Sequence, residues 1–159
     1  MTLNVNAPDF VLPNSLQAIY DHVAAHLLRQ GRPALAPSSE QEDLIARGET
    51  ICRYHGARGT RCAIGCLIPN GRYSDEMEGK WGPAVLADLG ILPRAEIDEY
   101  DVSKAPRVRL LSALQMLHDD AAAWPDDQIV ARWEKGLADL AREFGLRPFT
   151  RDMLSNNKE

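Results

Sequence analysis

From Thr50 to Ser74 the chain holds no aspartate and no glutamate, although acids outnumber bases 23 to 18 over its 159 residues. Long apolar runs are also missing. Contiguous apolar stretches are only a few residues long, far short of the roughly 18 that a membrane-crossing helix needs. The opening residues, MTLNVNAPDFVLPNS, have neither a basic start nor an apolar stretch, so no secretory signal is expected. Cysteine is scarce and odd in number, with three in all, and free thiols in a reducing cytoplasm are the simplest expectation. A net charge of −5 argues against a general grip on DNA or RNA, which depends on clustered basic groups that displace counterions. There is no internal repeat and no low-complexity tract.

What is present suits one globular domain. Hydrophobic residues make up 45% and charged residues 26%, and a chain of this length buries roughly two-thirds of its unfolded surface without needing staples. Leu16, Ile19, Tyr20, Val23, Ala24, Leu27 and Leu28 recur at helical spacing, with Asn14 or Ser15 as a cap and Gly31 as a stop. Ser39 and Glu42 fit a capping box for a short acidic helix that ends at Gly48. A helical turn follows Ser74, and Pro83 and Gly90 bracket a further short helix. Pro106 opens a longer helix with Leu110, Leu111, Leu114, Leu117 and His118 on one face. The last helix starts at Pro125, carries Asp126 and Asp127 at its positive end, and stops at Gly145.

Ile51 to Ile68 reads differently. ICRY and TRCAI flank HGARG, a pattern that fits a small β-hairpin, while CAIGCLI fits a strand or a buried helical turn equally well. The expected fold is mainly α: a compact domain of about five helices with a small β-hairpin or irregular insert around residues 50–70. Residues 1–14 form an N-terminal extension, 15–146 the globular domain, and 147–159 a polar C-terminal tail expected to fray.

Three chemistries compete for the insert. Cys52, His55, Cys62 and Cys66 offer thiolates and an imidazole, the set that zinc prefers, but their spacing matches no standard ligand pattern, so no cofactor is favoured. A nucleophilic Cys62 activated by Arg61, with His118 as base and Asp119 to orient it, would make a cysteine hydrolase; the competing reading is that His118 packs in the core. The third chemistry starts from Arg53, Arg58, Arg61 and Arg72, which give the acid-free window +4 and leave −9 for the rest of the chain. Guanidinium forks bind phosphate oxygens in pairs, and Tyr54, Tyr73 and Trp81 could stack on a base. Against this, the arginines could simply neutralise acidic helices nearby. His22 and His26, four apart, could hold a metal, although such a pair is usually surface.

The segment CRYHGARGTRCAIGCLIP, followed by Tyr73 and by Met77-Glu78-Gly79, resembles a family of small bacterial and phage-type proteins. In that family a Cys-x-Tyr-x-Gly turn leads into Cys-Ala-x-Gly-Cys-Leu-Ile-Pro, and a later helix carries Leu-Gln-x-x-His-Asp, here Leu114 to Asp119. The resemblance spans roughly Leu16 to Leu146 and implies a phage or mobile-element accessory protein, with host takeover or counter-defence as its setting. It implies no particular chemistry. Where this chain has His55 the family pattern has Arg, which weakens His55 as a shared ligand. The expected function is therefore non-enzymatic: capture of an anionic, nucleotide-like small molecule, or of a host protein, by a cytoplasmic and possibly homo-oligomeric protein that does not bind membranes.

Overall fold

The structure, a computed structural model, describes residues 3–98, 100–101 and 104–155. Helix α1 (Leu16–Gln30) forms where apolar residues recur every three or four positions, and it buries Ile19, Tyr20, Val23, Ala24, Leu27 and Leu28. The Ser15 hydroxyl accepts from the Ala18 N–H at 3.1 Å, and Gly31 closes the helix in the left-handed conformation. Helix α2 (Ser38–Ala46) starts two residues earlier than the expected capping box. Pro37 holds the cap position, so Ser39 lies inside the first turn and no side chain caps the helix.

Helix α3 (Gly82–Asp88) has Pro83 in its first turn, and α4 (Pro106–Asp120) also opens on proline. A 3-10 turn over Asp126–Gln128 leads into α5 (Ile129–Phe144), which ends at a left-handed Gly145, and α6 (Asp152–Ser155) closes the described chain. Helix α4 is the centre of the packing. It lies against α1, α3 and α5, and α1 also packs on α5. Trp133 of α5 is fully buried at this junction, and its Nε1–H donates to the Leu117 carbonyl at 3.0 Å. Burying that donor unpaired would cost about 1–3 kcal/mol.

The mainly helical architecture agrees with the sequence pattern, and of the two options for residues 50–70 the irregular insert is the one observed. Among the described residues there is no strand, only two isolated antiparallel bridges, Leu35 with Cys52 and His55 with Arg61. The chain reverses so tightly over Ala57–Gly59 that one bridge is all the pairing it makes. Residues 62–68 then coil: the Cys66 N–H donates to the Cys62 carbonyl at 3.0 Å, and Gly65–Leu67 is a 3-10 turn. CAIGCLI is therefore a buried helical turn.

Both ends of the chain are tied down. Buried Arg107 of α4 donates to the Leu12 carbonyl at 2.9 Å and to the Pro13 carbonyl at 3.2 Å, and its guanidinium pairs with Glu96. The expected fraying after Arg147 is not observed through residue 154. Phe149 is buried, and Arg151 pairs with Glu134 of α5. Residues 156–159 of that tail lie outside the described residues, as do Glu99, Val102 and Ser103 of the loop before α4.

The anchor of the C-terminal segment is Tyr20. Its hydroxyl donates to the Leu137 carbonyl at 2.8 Å and accepts from the Phe149 N–H at 3.1 Å. Tyr20→Phe strips both partners of their bond while keeping the ring. A loss of about 1–3 kcal/mol in urea unfolding is expected, together with proteolytic cutting near Phe149 that the parent chain resists.

Candidate functional site

A segment without a ladder must satisfy its backbone donors in other ways, and in the insert side chains do so. Glu78 accepts from the Tyr54 N–H at 2.8 Å, and from the His55 N–H at 3.3 Å and the Tyr73 hydroxyl at 2.6 Å. Gln115 of α4 accepts from the Ile64 N–H at 3.0 Å, and Gln30 of α1 accepts from the Arg61 N–H at 2.8 Å. His118 accepts from the Ala34 N–H through Nε2 at 2.8 Å. The turn is packed so closely that a Cβ on Gly65 would stand 1.9 Å from the Tyr54 carbonyl oxygen, so only glycine fits there.

This bonding decides what His118 can do. With Nε2 accepting from Ala34, the ring proton sits on Nδ1 and is donated to Asp119 Oδ1 at 2.9 Å. The ring is fully buried and stacks on Trp133, with centroids 5.8 Å apart. Neither nitrogen keeps a free lone pair, so the imidazole has no position from which to take a proton from a thiol.

The thiols show the same engagement. Cys62 is fully buried, its sulfur accepting from the Gly65 N–H at 3.2 Å, and burial pushes its thiol far up. Cys66 donates to the Ala63 carbonyl at 3.1 Å, and burial raises it to about 12. The cysteine beside His118 and Asp119 is Cys52, not Cys62. The potential ligand atoms of Cys52, His118 and Asp119 lie within 4.8 Å of one another. Burial first, and then the Asp119 charge, lift the Cys52 thiol to about 12. A metal there would need the Nδ1 lone pair, which moves the proton to Nε2 and sets it against the Ala34 N–H. The chemistry of this donor set does not fit a metal in the arrangement observed. The four-residue set Cys52, His55, Cys62 and Cys66 is not brought together either: His55 turns its Nε2–H to the Gly65 carbonyl at 3.2 Å.

The four arginines are spread around the insert. Arg53 pairs with Glu40 at 3.4 Å. Arg61 donates to the Ile68 carbonyl at 3.5 Å and to the Asn70 side chain. Arg58 and Arg72 are exposed. Of the aromatic residues, Tyr54 is buried with its hydroxyl on the Lys80 carbonyl, and Tyr73 stacks on His55 with centroids 4.0 Å apart. Arg53, Tyr54 and half-buried Trp81 do meet, lining a cavity of about 200 Å³, but Glu78 and Asp119 line it too, so it is not an acid-free anion site.

Arg61 instead meets residues that the sequence reading had not joined to it. It lines a cavity of about 530 Å³ together with Asn4, Asn6, His22, His26, Arg29 and Gln30, over a floor that includes Leu3, Val5 and Cys66. No carboxylate lines it. His26 donates Nε2–H to the Arg61 carbonyl at 2.8 Å, and His22 accepts from the Leu3 N–H at 3.3 Å while its Nε2 faces the Cys66 carbonyl at 3.4 Å. Burial lowers both imidazoles, so they are neutral at pH 7. The signal for this cavity was legible in part. His22, His26 and Arg29 sit at i, i+4 and i+7, a polar stripe along one flank of α1.

No family model, curated protein or solved structure matches the chain.

Two outcomes test this geometry. Iodoacetamide at neutral pH should label the native thiols only slowly, because raised thiols supply almost no thiolate. One equivalent reacting at the rate of a free model thiol would contradict the arrangement. The second test concerns His55, whose imidazole burial, and then the Arg61 charge, hold down to about 4 against its bond to Gly65. Below about 6.5 the unfolded chain takes a proton that folded His55 refuses, so stability is whole above that pH and falls on acidification toward about 4. His22 and His26 act in the same direction. The urea midpoint should drop between neutral pH and about pH 5, and less steeply in His55→Gln.

Proposed function

We propose that this chain is a small non-enzymatic binding protein that captures a phosphate-bearing molecule of nucleotide size in the cavity between its N-terminal segment and α1. The observation that carries this reading is that Arg29 and Arg61 line one cavity that no carboxylate lines. Neither has a carboxylate within 4.0 Å among the described residues, as is also true of Arg32, Arg58, Arg72, Arg109, Arg132 and Arg147, whereas Arg47, Arg53, Arg94, Arg107, Arg142 and Arg151 are paired. In a chain of net charge −5, two guanidiniums facing one cavity without a counterion supply what an anion needs.

The remaining lining residues fit the same ligand. Asn4, Asn6 and Gln30 provide neutral polar groups around the opening. Arg61 is held by Ile68 and Asn70, so little freedom is lost when it meets a phosphate oxygen. About 530 Å³ lies within the range of small-molecule sites, and Leu3 and Val5 give part of the wall an apolar face. Tyr54, Tyr73 and Trp81, expected to stack on a base, do not line this cavity, so the reading rests on phosphate recognition.

Calorimetric titration with AMP tests it. Binding to the parent chain is expected, with Arg29→Gln and Arg61→Gln each weakening it roughly tenfold or more, the range of a charge-assisted hydrogen bond. The double variant should show no measurable heat while its thermal melt stays cooperative. A double variant that binds AMP as the parent does, or a parent that shows no binding, would sink the proposal.

A further inference from the structure

Beyond Gln30 lies a second cavity, of about 360 Å³, and it too is lined by two arginines and no carboxylate. Its arginines are Arg32, just past the end of α1, and Arg58, at the tip of the insert's turn. Neither has a carboxylate within salt-bridge distance among the described residues, and both are exposed. The two cavities flank the same structural staple. The Gln30 side chain donates to the Arg32 carbonyl at 2.6 Å and to the Arg61 carbonyl at 3.0 Å, and accepts from the Arg61 N–H at 2.8 Å. Gln30 and Arg61 line the first cavity, and their near neighbours Arg32 and Thr60 line the second.

The backbone of Arg58 marks the second cavity independently of its charge. With φ at 61° and ψ at 31°, it is the one described non-glycine residue in the left-handed region, and Gly59 beside it has φ 73°. A β-carbon in that region is disfavoured, and glycine would adopt the same conformation at less cost. Arg58 is exposed, and among the described residues its side chain makes no hydrogen bond or ion pair that would repay this. Residues held in such conformations cluster at binding and catalytic positions.

We infer that the two cavities are subsites for a single ligand with two separated phosphates, of the linear dinucleotide class. This rests on the reading of the first cavity as a phosphate site and adds to it a second phosphate, held by Arg32 and Arg58. One phosphate sits between Arg29 and Arg61, and the chain of the ligand crosses the Gln30 staple. A mononucleotide fills one subsite only. Joining two phosphates in one molecule makes the second contact intramolecular, so affinity rises without any new feature of the protein. The size of the ligand also separates this reading from a general grip on nucleic acid, which the acidic remainder of the chain opposes.

The experiment compares AMP with the 5′-phosphorylated dinucleotide pApA, by calorimetry, on the full chain. The parent is expected to bind pApA roughly tenfold tighter than AMP. Arg58→Gly and Arg32→Gln should each bring pApA down to the affinity of AMP. Arg58→Gly carries its own control for folding. Glycine relaxes the left-handed backbone, so this variant should melt at or above the parent's temperature while losing the dinucleotide preference. If Arg58→Gly melts higher and still prefers pApA as the parent does, the second subsite is wrong. If pApA binds no tighter than AMP, and AMP binding still depends on Arg29 and Arg61, the two-phosphate inference fails and the first cavity stands. If neither probe binds, the first cavity fails and the second falls with it.

Discussion

The insert between α2 and α3 forms no strand ladder, and the protein's arrangement follows from how its backbone donors are satisfied. Tight turns pair many of them within the insert, and four more are met by side chains: Glu78 serves Tyr54 and His55, Gln30 of α1 serves Arg61, and Gln115 of α4 serves Ile64. A further donor, the Ala34 N–H just before α2, is met by His118 of α4. These acceptors tie the loops to α1, to α4 and to the segment before α3. The central acceptor is His118, because it serves Ala34 while donating to Asp119, and Asp119 in turn accepts from Gln115 at 2.7 Å. Removing one acceptor leaves a buried donor unpaired, a penalty larger than the net value of the bond it loses.

The same bonds withdraw polar groups from chemistry. A carboxylate holding three donors, an imidazole with both nitrogens occupied, and thiols pushed far above neutral are poor acids, bases and nucleophiles. Cys52, His118 and Asp119 stand together as a catalytic or metal-binding trio would, but their protons are already placed. Arg29 and Arg61, and Arg32 and Arg58, have no carboxylate partner among the described residues, and each pair lines a cavity without acids.

The sequence made the helices legible because periodicity and terminal residues reinforced each other. Leu16 to Leu28 with Ser15 and Gly31, or Ile129 to Phe144 with Gly145, state a helix twice over. The end of α1 and the cap of α2 were not equally legible: Ser39 with Glu42 looks like a capping box, but Pro37 sets the cap two residues earlier. The insert was legible as irregular but not in its course, since seven residues such as CAIGCLI carry no periodicity long enough to separate a strand from a turn. Of the site, Arg61 was visible through its acid-free surroundings. Asn4 and Asn6 were not, because they join Arg61 only through the packing of the N-terminal segment on α1, which depends on distant contacts such as Leu12 with Ile91.

A cluster of like charges is informative because it has a cost. Two unit charges about 4 Å apart interact by about 1 kcal/mol even in bulk water, and by more near a protein surface. Arg29, Arg32, Arg58 and Arg61 surround one staple in a protein with acids to spare, and no carboxylate has been placed among them. The end of α1 offers a partial explanation, since its carbonyls favour nearby cations, but that field fades within a turn. An anion binding there relieves the repulsion in the folded state alone, so any such ligand stabilises the fold in proportion to its occupancy. The charge pattern and the strained arginine at the turn thus converge on the same region by separate physical routes, one electrostatic and one conformational.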